Sequence, residues 1–220
     1  MKKCINCGNS IDKQHNYCSN CGQNTSVNEI TYKEFFNNLI SVFDLEKSFF
    51  STFIKLVLKP DIVVKEYLQG KRINYFSPLK LFFVVYSFFS LFAIIIDKEN
   101  PNAIKILIEN LLFFLILSLI YYGFARFKIK YIESIIYSLY TGSIIFFIVR
   151  SFSISMDIIS DSIDDTLFLI LIISHIIAMI AYLTFVYKKL FNFKFFISVL
   201  ASIFTLTALF FLLQTSNLIL

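Results

Sequence analysis

The chain has 220 residues and a mass of 25.7 kDa, a length that suits one or two soluble domains. Its composition excludes an ordinary one: 57% of residues are hydrophobic, 16% are charged, mean hydropathy is +0.73 and the formal net charge is +5. Of the charged residues, 17 lie in residues 1–77 and only 18 in the remaining 143, so the second region requires a bilayer as its solvent.

All four cysteines fall in the first 21 residues, as Cys4-x-x-Cys7-Gly8 and Cys18-x-x-Cys21-Gly22. The two-residue gap lets both thiolates of a knuckle reach one tetrahedral ion at about 2.3 Å. The glycine after each knuckle admits the positive φ that turns the chain around a metal. Residues 1–25 are therefore expected to form a zinc-ribbon module. Its ligands are Cys4, Cys7, Cys18 and Cys21, and its metal is a structural Zn2+, with iron and a metal-free redox role as the alternatives. So short a segment cannot bury a core, which leaves the metal to supply the folding free energy. Four thiolates close the coordination shell and argue against catalysis at the metal. His15, between the knuckles, reads as a surface side chain. Disulfide pairing is disfavoured because no signal peptide precedes Cys4 and the topology derived below places the cysteines in a reducing cytosol.

Residues 26–77 read as an amphipathic juxtamembrane segment. Thr31-Tyr32-Lys33-Glu34 is a capping-box pattern that opens a helix. Phe36, Leu39, Ile40 and Phe43 form one apolar stripe; Phe50, Phe53, Ile54 and Val57 form a second. Asp44, Glu46 and Lys47 interrupt them. Residues 31–58 either lie in the bilayer interface or pack on the helix bundle, and both placements fit the pattern. Pro60 then opens a short helix that passes Tyr67 and stops at Gly70, a natural C′ position. Lys71 and Arg72 follow at headgroup depth, and Tyr75 and Ser77-Pro78 lead into the first span.

The order C-x-x-C-G, C-x-x-C-G-Q, then P-x(6)-Y-L-x-G-K-R-x-x-Y-x-x-P resembles a bacterial membrane-protein family catalogued as domain of unknown function 3667. The matching residues are Cys4, Cys7, Cys18, Cys21, Gly22, Gln23, Thr52, Pro60, Tyr67, Gly70, Lys71, Arg72, Tyr75 and Pro78. Ser48 and Asp61 depart from it, standing where the pattern has glycine. The resemblance covers about the first 80 residues. It implies a zinc-ribbon-bearing integral membrane protein and brings no established activity.

Residues 78–220 are expected to be an all-α domain of five transmembrane helices, at about 78–96, 104–124, 131–149, 166–187 and 193–213. Arg126, Lys128 and Lys130 make the loop after the second span purely basic, as Lys188, Lys189 and Lys194 do after the fourth. Basic loops stay on the cytoplasmic side, so the N-terminus is expected inside and the C-terminus outside a cell membrane crossed several times. Trp is absent. Tyr75, Tyr121, Tyr122, Tyr131 and Tyr187 stand at proposed boundaries as interfacial anchors. The dispersed basic residues suit lipid headgroups and argue against nucleic acid as a partner.

Within the spans, His175 is the one histidine, a speculative polar site whose plainer reading is a hydrogen bond to Thr141, Ser143 or Thr205. Gly142 is a candidate break of the kind found in transporter helices. Asp157, Asp161, Asp164 and Asp165 read as a solvated acidic loop, since their spacing is not that of an EF-hand. No catalytic constellation is found, and the chain is not expected to be an enzyme. The expected role is interaction or assembly through the cytosolic zinc ribbon, with a cytosolic or membrane protein as partner. The alternatives are a transporter or channel gated by that module and, third, a lipid-acting membrane enzyme that uses Gly70-Lys71-Arg72 to hold a headgroup.

Overall fold

A computed structural model describes residues 2–12, 14–25, 48–96, 103–125, 129–159 and 163–219. The Thr31–Glu34 capping box, the first apolar stripe and Asp44–Lys47 lie outside the described residues, as do Arg126, Lys128 and Asp161. The N-terminal module pairs a short strand β1 (Lys2–Lys3) antiparallel with β2 (Ser10–Ile11). Seven helices follow among the described residues: α1 (Ser48–Leu58), α2 (Pro60–Leu68), α3 (Pro78–Ile96), α4 (Ala103–Phe124), α5 (Tyr131–Ile159), α6 (Asp165–Phe191) and α7 (Phe195–Ile219).

Helix boundaries follow local chemistry. Pro60 starts α2, where its missing N–H costs no hydrogen bond. That helix ends in a Schellman motif: Gly70 N–H donates to Tyr67 O at 3.1 Å and Lys71 N–H to Glu66 O at 3.0 Å, with Gly70 at φ +100°. Asp164 caps α6 by accepting from Leu167 N–H at 2.9 Å, and Asp165 occupies the first turn, where the helix dipole favours an acid. Asp157 lies inside α5. The acidic stretch is therefore not one solvated loop: its described members are a helix residue, a cap and a first-turn acid.

α5 is the hub of the bundle. Its buried stretch packs against α3 and α4 and carries Ser134, Ser138, Thr141 and Ser143 with their hydroxyls directed at helix carbonyls. Gly142 is a site of close approach rather than a break. A Cβ there would stand 2.6 Å from Phe114 Cε1 of α4, and α5 runs through it uninterrupted. The helix also continues ten residues past the expected boundary at 149, carrying Arg150 over the Phe146 ring at 5.5 Å. α6 pairs with α7 through Thr184–Ser202 and Tyr187–Thr205 hydroxyl contacts at 3.2 and 2.5 Å.

Helices stand at all five positions expected to span, but the expectation of five crossings is stronger than the structure carries. Among the described residues two helices, Tyr131–Met156 and Asp165–Phe191, are long and apolar enough to cross a membrane. In the other three helices the apolar stretches among the described residues are Pro78–Leu91, Leu111–Phe124 and Phe195–Ala208. The two candidates differ in setting: α5 is mostly buried by its neighbours, whereas α6 presents Leu169, Ile170, Ile173, Ile176 and Ile177 outward.

Three tyrosines expected as interfacial anchors are core residues instead. Tyr75, Tyr121 and Tyr187 are buried; Tyr121 meets Thr141 at 2.9 Å and stacks edge-on against Tyr187. The Tyr121 and Tyr187 hydroxyls find partners inside the bundle, and that of Tyr75 bonds Glu66. Tyr122 and Tyr131 are half-buried.

Candidate metal centre and motif loop

The two cysteine knuckles are one structure built twice. Gly8 N–H donates to Cys4 O at 2.9 Å and Cys4 N–H to Asn9 O at 2.8 Å. Fourteen residues on, Gly22 N–H donates to Cys18 O at 2.9 Å and Cys18 N–H to Gln23 O at 2.8 Å. The pairing of Lys3 with Ser10 is repeated by the bridge between Tyr17 and Asn24. Gly8 and Gly22 adopt φ +77° and +72°, a region where a Cβ is costly, which explains why glycine closes each knuckle.

This repetition brings four sulfurs together. Cys4 Sγ lies 3.6 Å from Cys21 Sγ, Cys7 Sγ lies 3.7 Å from Cys18 Sγ, and all four are within 4.8 Å of one another. A tetrahedral ion bound at about 2.3 Å would set its sulfurs about 3.8 Å apart, so the cage fits such an ion. The separations are far beyond the roughly 2.0 Å of a disulfide. The knuckle backbone favours thiolate at Cys7 and Cys18. The Asn9 backbone N–H, followed by the Asn20 side chain, pulls the Cys7 thiol down to about 6. The backbone N–H of Asn20 lowers Cys18, while desolvation raises Cys21 to about 11. Gln23, which follows the second knuckle, is buried, and its Nε2 lies 3.4 Å from Asn24 O. His15 stands outside the cage; its carbonyl accepts from Thr25 Oγ1 at 2.8 Å.

The motif residues after Pro60 converge on the loop between α2 and α3, centred on Glu66. Glu66 Oε1 takes an ion pair from Lys71 Nζ at 2.7 Å, and Oε2 accepts the Tyr75 hydroxyl. The hydrogen bond from Lys71, then that from Tyr75, hold the Glu66 carboxyl below its ordinary range; burial first, then Glu66, push Tyr75 up. Arg72 lies 5.9 Å from the Tyr67 ring centre and Lys55 lies 5.4 Å from that of Tyr75. Lys71 and Arg72 therefore brace the loop. Pro60 and Pro78 are buried at the first turns of α2 and α3.

Both sides of the Phe76 residue are held from elsewhere. Its N–H donates to Thr52 Oγ1 of α1 at 2.9 Å, and its carbonyl accepts the Tyr140 hydroxyl of α5 at 2.7 Å. Tyr67 packs edge-on against Tyr140 at 5.5 Å. Tyr140 is nine residues into α5, so the start of α3 sits about 14 Å along that helix from Tyr131. A side-chain bond at 3.1 Å from Asn6 Nδ2, inside the first knuckle, to Asn74 Oδ1 ties the cysteine module to this loop.

His175 is remote from both assemblies. Its ring stacks on Phe152 of α5 at 3.9 Å and 6°, and Thr141, Ser143 and Thr205 instead donate to carbonyls of their own helices. The hydroxyl partner expected for His175 is thus replaced by an aromatic face. Sequence reasoning missed Glu66 and Tyr140; an acid four residues before the Gly70 stop and five before Lys71 was the available signal for the first.

Residues 46–90 match the family model described as protein of unknown function (DUF3667). No curated protein and no solved structure matches the chain. The matched segment covers Thr52, Pro60, Tyr67, Gly70, Lys71, Arg72, Tyr75 and Pro78, and leaves the cysteines outside it. The part of the chain that holds the Phe76 loop against α5 is thus the part that carries the resemblance to the DUF3667 family, and the four-cysteine cluster tied to it fits a zinc ribbon.

Proposed function

We propose that this is a multi-pass membrane protein whose N-terminal ribbon holds a structural zinc ion on the cytoplasmic side and serves as an interaction or assembly module. The observation that carries the reading is the closed cage of Cys4, Cys7, Cys18 and Cys21. Zn2+ with four thiolates has no open ligand position and carries a net charge of about −2, which suits a folded docking surface rather than a reaction centre. The bilayer part rests on the outward apolar side chains of α6, a patch too large for water to cover favourably, and on the basic loops. In this reading the helices α3 to α7 are the five crossings, with the N-terminus inside and the C-terminus outside. Transport is the weaker reading, because the buried hydroxyls of α5 and α7 are paired with carbonyls of their own helices or with hydroxyls of α4 and α6, and line no described channel.

Metal analysis of the purified full chain is expected to give one zinc per molecule. Cys18→Ser is expected to abolish it while leaving the protein in the membrane fraction. Proximity labelling from the N-terminus is expected to mark a recurrent protein neighbour that the Cys18→Ser chain loses. A chain that lacks zinc and has the same neighbours as the variant would remove the proposal.

A further inference from the structure

α1 presents three distinct strips along its length. One faces the bundle: Thr52 and Leu56 are buried, with Phe49, Phe53 and Val57 packed beside them, Phe53 edge-on against Phe147 of α5 at 5.0 Å. A second strip, at i, i+4 and i+8, is apolar and outward: Phe50, Ile54 and Leu58 are 74%, 57% and 61% exposed. The third, one residue further round, is Ser51, Lys55 and Lys59, also exposed. The single apolar stripe expected from the sequence is therefore split between two environments. Phe53 and Val57 belong to the protein core, whereas Phe50 and Ile54 have no described cover.

The juxtaposition of a bare apolar strip and a basic strip on one helix points to a specific occupant. We infer that α1 lies in the headgroup boundary of the same membrane that the bundle crosses, with Phe50, Ile54 and Leu58 among acyl chains and Lys55 and Lys59 at lipid phosphates. A protein groove would cover the first strip but gain nothing from two adjacent lysines unless it were acidic. A leaflet offers hydrocarbon and anionic phosphate side by side at the same depth interval. Charge complementarity agrees: residues 48–80 contain five lysines and one arginine against Asp61 and Glu66, and Glu66 already bonds Lys71 and Tyr75. The Lys55 ammonium lies 5.4 Å from the centre of the Tyr75 ring and the residue is exposed, so its charge is held at the protein surface, open to a phosphate. The phosphate is that of a bilayer lipid, not of a free ion, because the apolar strip has no use for a soluble anion.

This inference rests on the membrane reading above, and the absence of tryptophan allows the two to be tested separately. Single-tryptophan variants Phe50→Trp, Leu56→Trp and Ile177→Trp of the full chain would be reconstituted in phosphatidylcholine–phosphatidylglycerol vesicles, with and without brominated lipid. Ile177, outward on α6, reports on the bundle's membrane face. The expected result is that Phe50→Trp and Ile177→Trp emit at blue-shifted wavelengths and lose intensity to brominated lipid, Phe50→Trp most to bromine placed near the headgroup. Leu56→Trp, inside the protein, is expected to lose little. Adding Lys55→Gln and Lys59→Gln to Phe50→Trp is expected to weaken its quenching in vesicles containing phosphatidylglycerol. Quenching of Ile177→Trp without quenching of Phe50→Trp would overturn the inference while leaving the membrane reading in place; no quenching of either would overturn both. A Phe50→Trp residue shielded from both brominated lipid and aqueous iodide would mean that protein covers the strip, which also overturns it.

Discussion

At the residue scale, Glu66 shows how a loop that looks like a headgroup site is committed internally. Lys71, which the sequence offers to lipid, is bonded to Glu66 at 2.7 Å, and Tyr75 occupies the other carboxylate oxygen. Because Lys71 and Tyr75 lower the folded carboxyl below its free value, the pair adds stability above roughly pH 4.3, the free glutamate value. That contribution is lost as pH falls through the lower folded value. Glu66→Gln is expected to cost about 1 kcal/mol at neutral pH, a modest figure because both side chains are partly exposed, and to flatten the acid limb of stability. Urea unfolding of the detergent-solubilised chain as a function of pH would check both features. An unchanged acid limb in the variant would show that other carboxylates govern it. The cysteine spacing and the Gly8 and Gly22 turns, by contrast, were legible directly, since a ligand pair two residues apart needs no distant partner to define it.

At the scale of elements, the Phe76 residue joins α1, α3 and α5. Thr52 is 24 residues before it and Tyr140 is 64 after it, so no local pattern announces either bond. Thr52→Val keeps the shape of the side chain and leaves a buried N–H without its acceptor; Tyr140→Phe does the same to the carbonyl. Each change is expected to cost about 1–3 kcal/mol. The double variant should cost less than the sum, because once one bond is gone the loop is free to relax away from the other. A double-mutant cycle on thermal or denaturant unfolding measures the coupling, and strict additivity would mean that the two bonds act independently. Helix positions were legible for a different reason. Pro60 and Pro78 punctuate the chain, and continuous apolar runs fix where helices exist, as the agreement of α3 with residues 78–96 shows. The end of α5 was not: the span expected to close at 149 runs on to Ile159, with Arg150 lying over the Phe146 ring within the helix.

At the scale of the whole molecule, the proposed orientation makes a side-specific expectation. Ile163, just before the α6 cap, should lie outside, and Phe193, between α6 and α7, should lie inside. A membrane-impermeant thiol reagent applied to intact cells is expected to modify Ile163→Cys promptly and Phe193→Cys only after permeabilisation. The native cysteines, on the cytoplasmic side, should stay unlabelled before that point. The reverse pattern would overturn the topology and the cytosolic position of the ribbon with it. The Asn6–Asn74 bond sets the cysteine cage beside the loop at the start of α3.

The sequence by itself determined what depends on near neighbours and on composition: the four-cysteine cage, the stops and starts at Pro60, Gly70 and Pro78, and the helical character of the apolar half. Tertiary structure alone decided which side of each helix meets protein. It sent Tyr121 and Tyr187 inward, paired Lys71 with Glu66, gave His175 the face of Phe152, and split the α1 stripe into core and outward strips. The reason is physical. Along the long apolar helices α4, α5 and α7 hydrophobicity is nearly uniform around the axis, so periodicity carries little information about facing there. What remains to choose the face is where the Tyr121, Tyr140 and Tyr187 hydroxyls find partners, and those partners are distant in sequence.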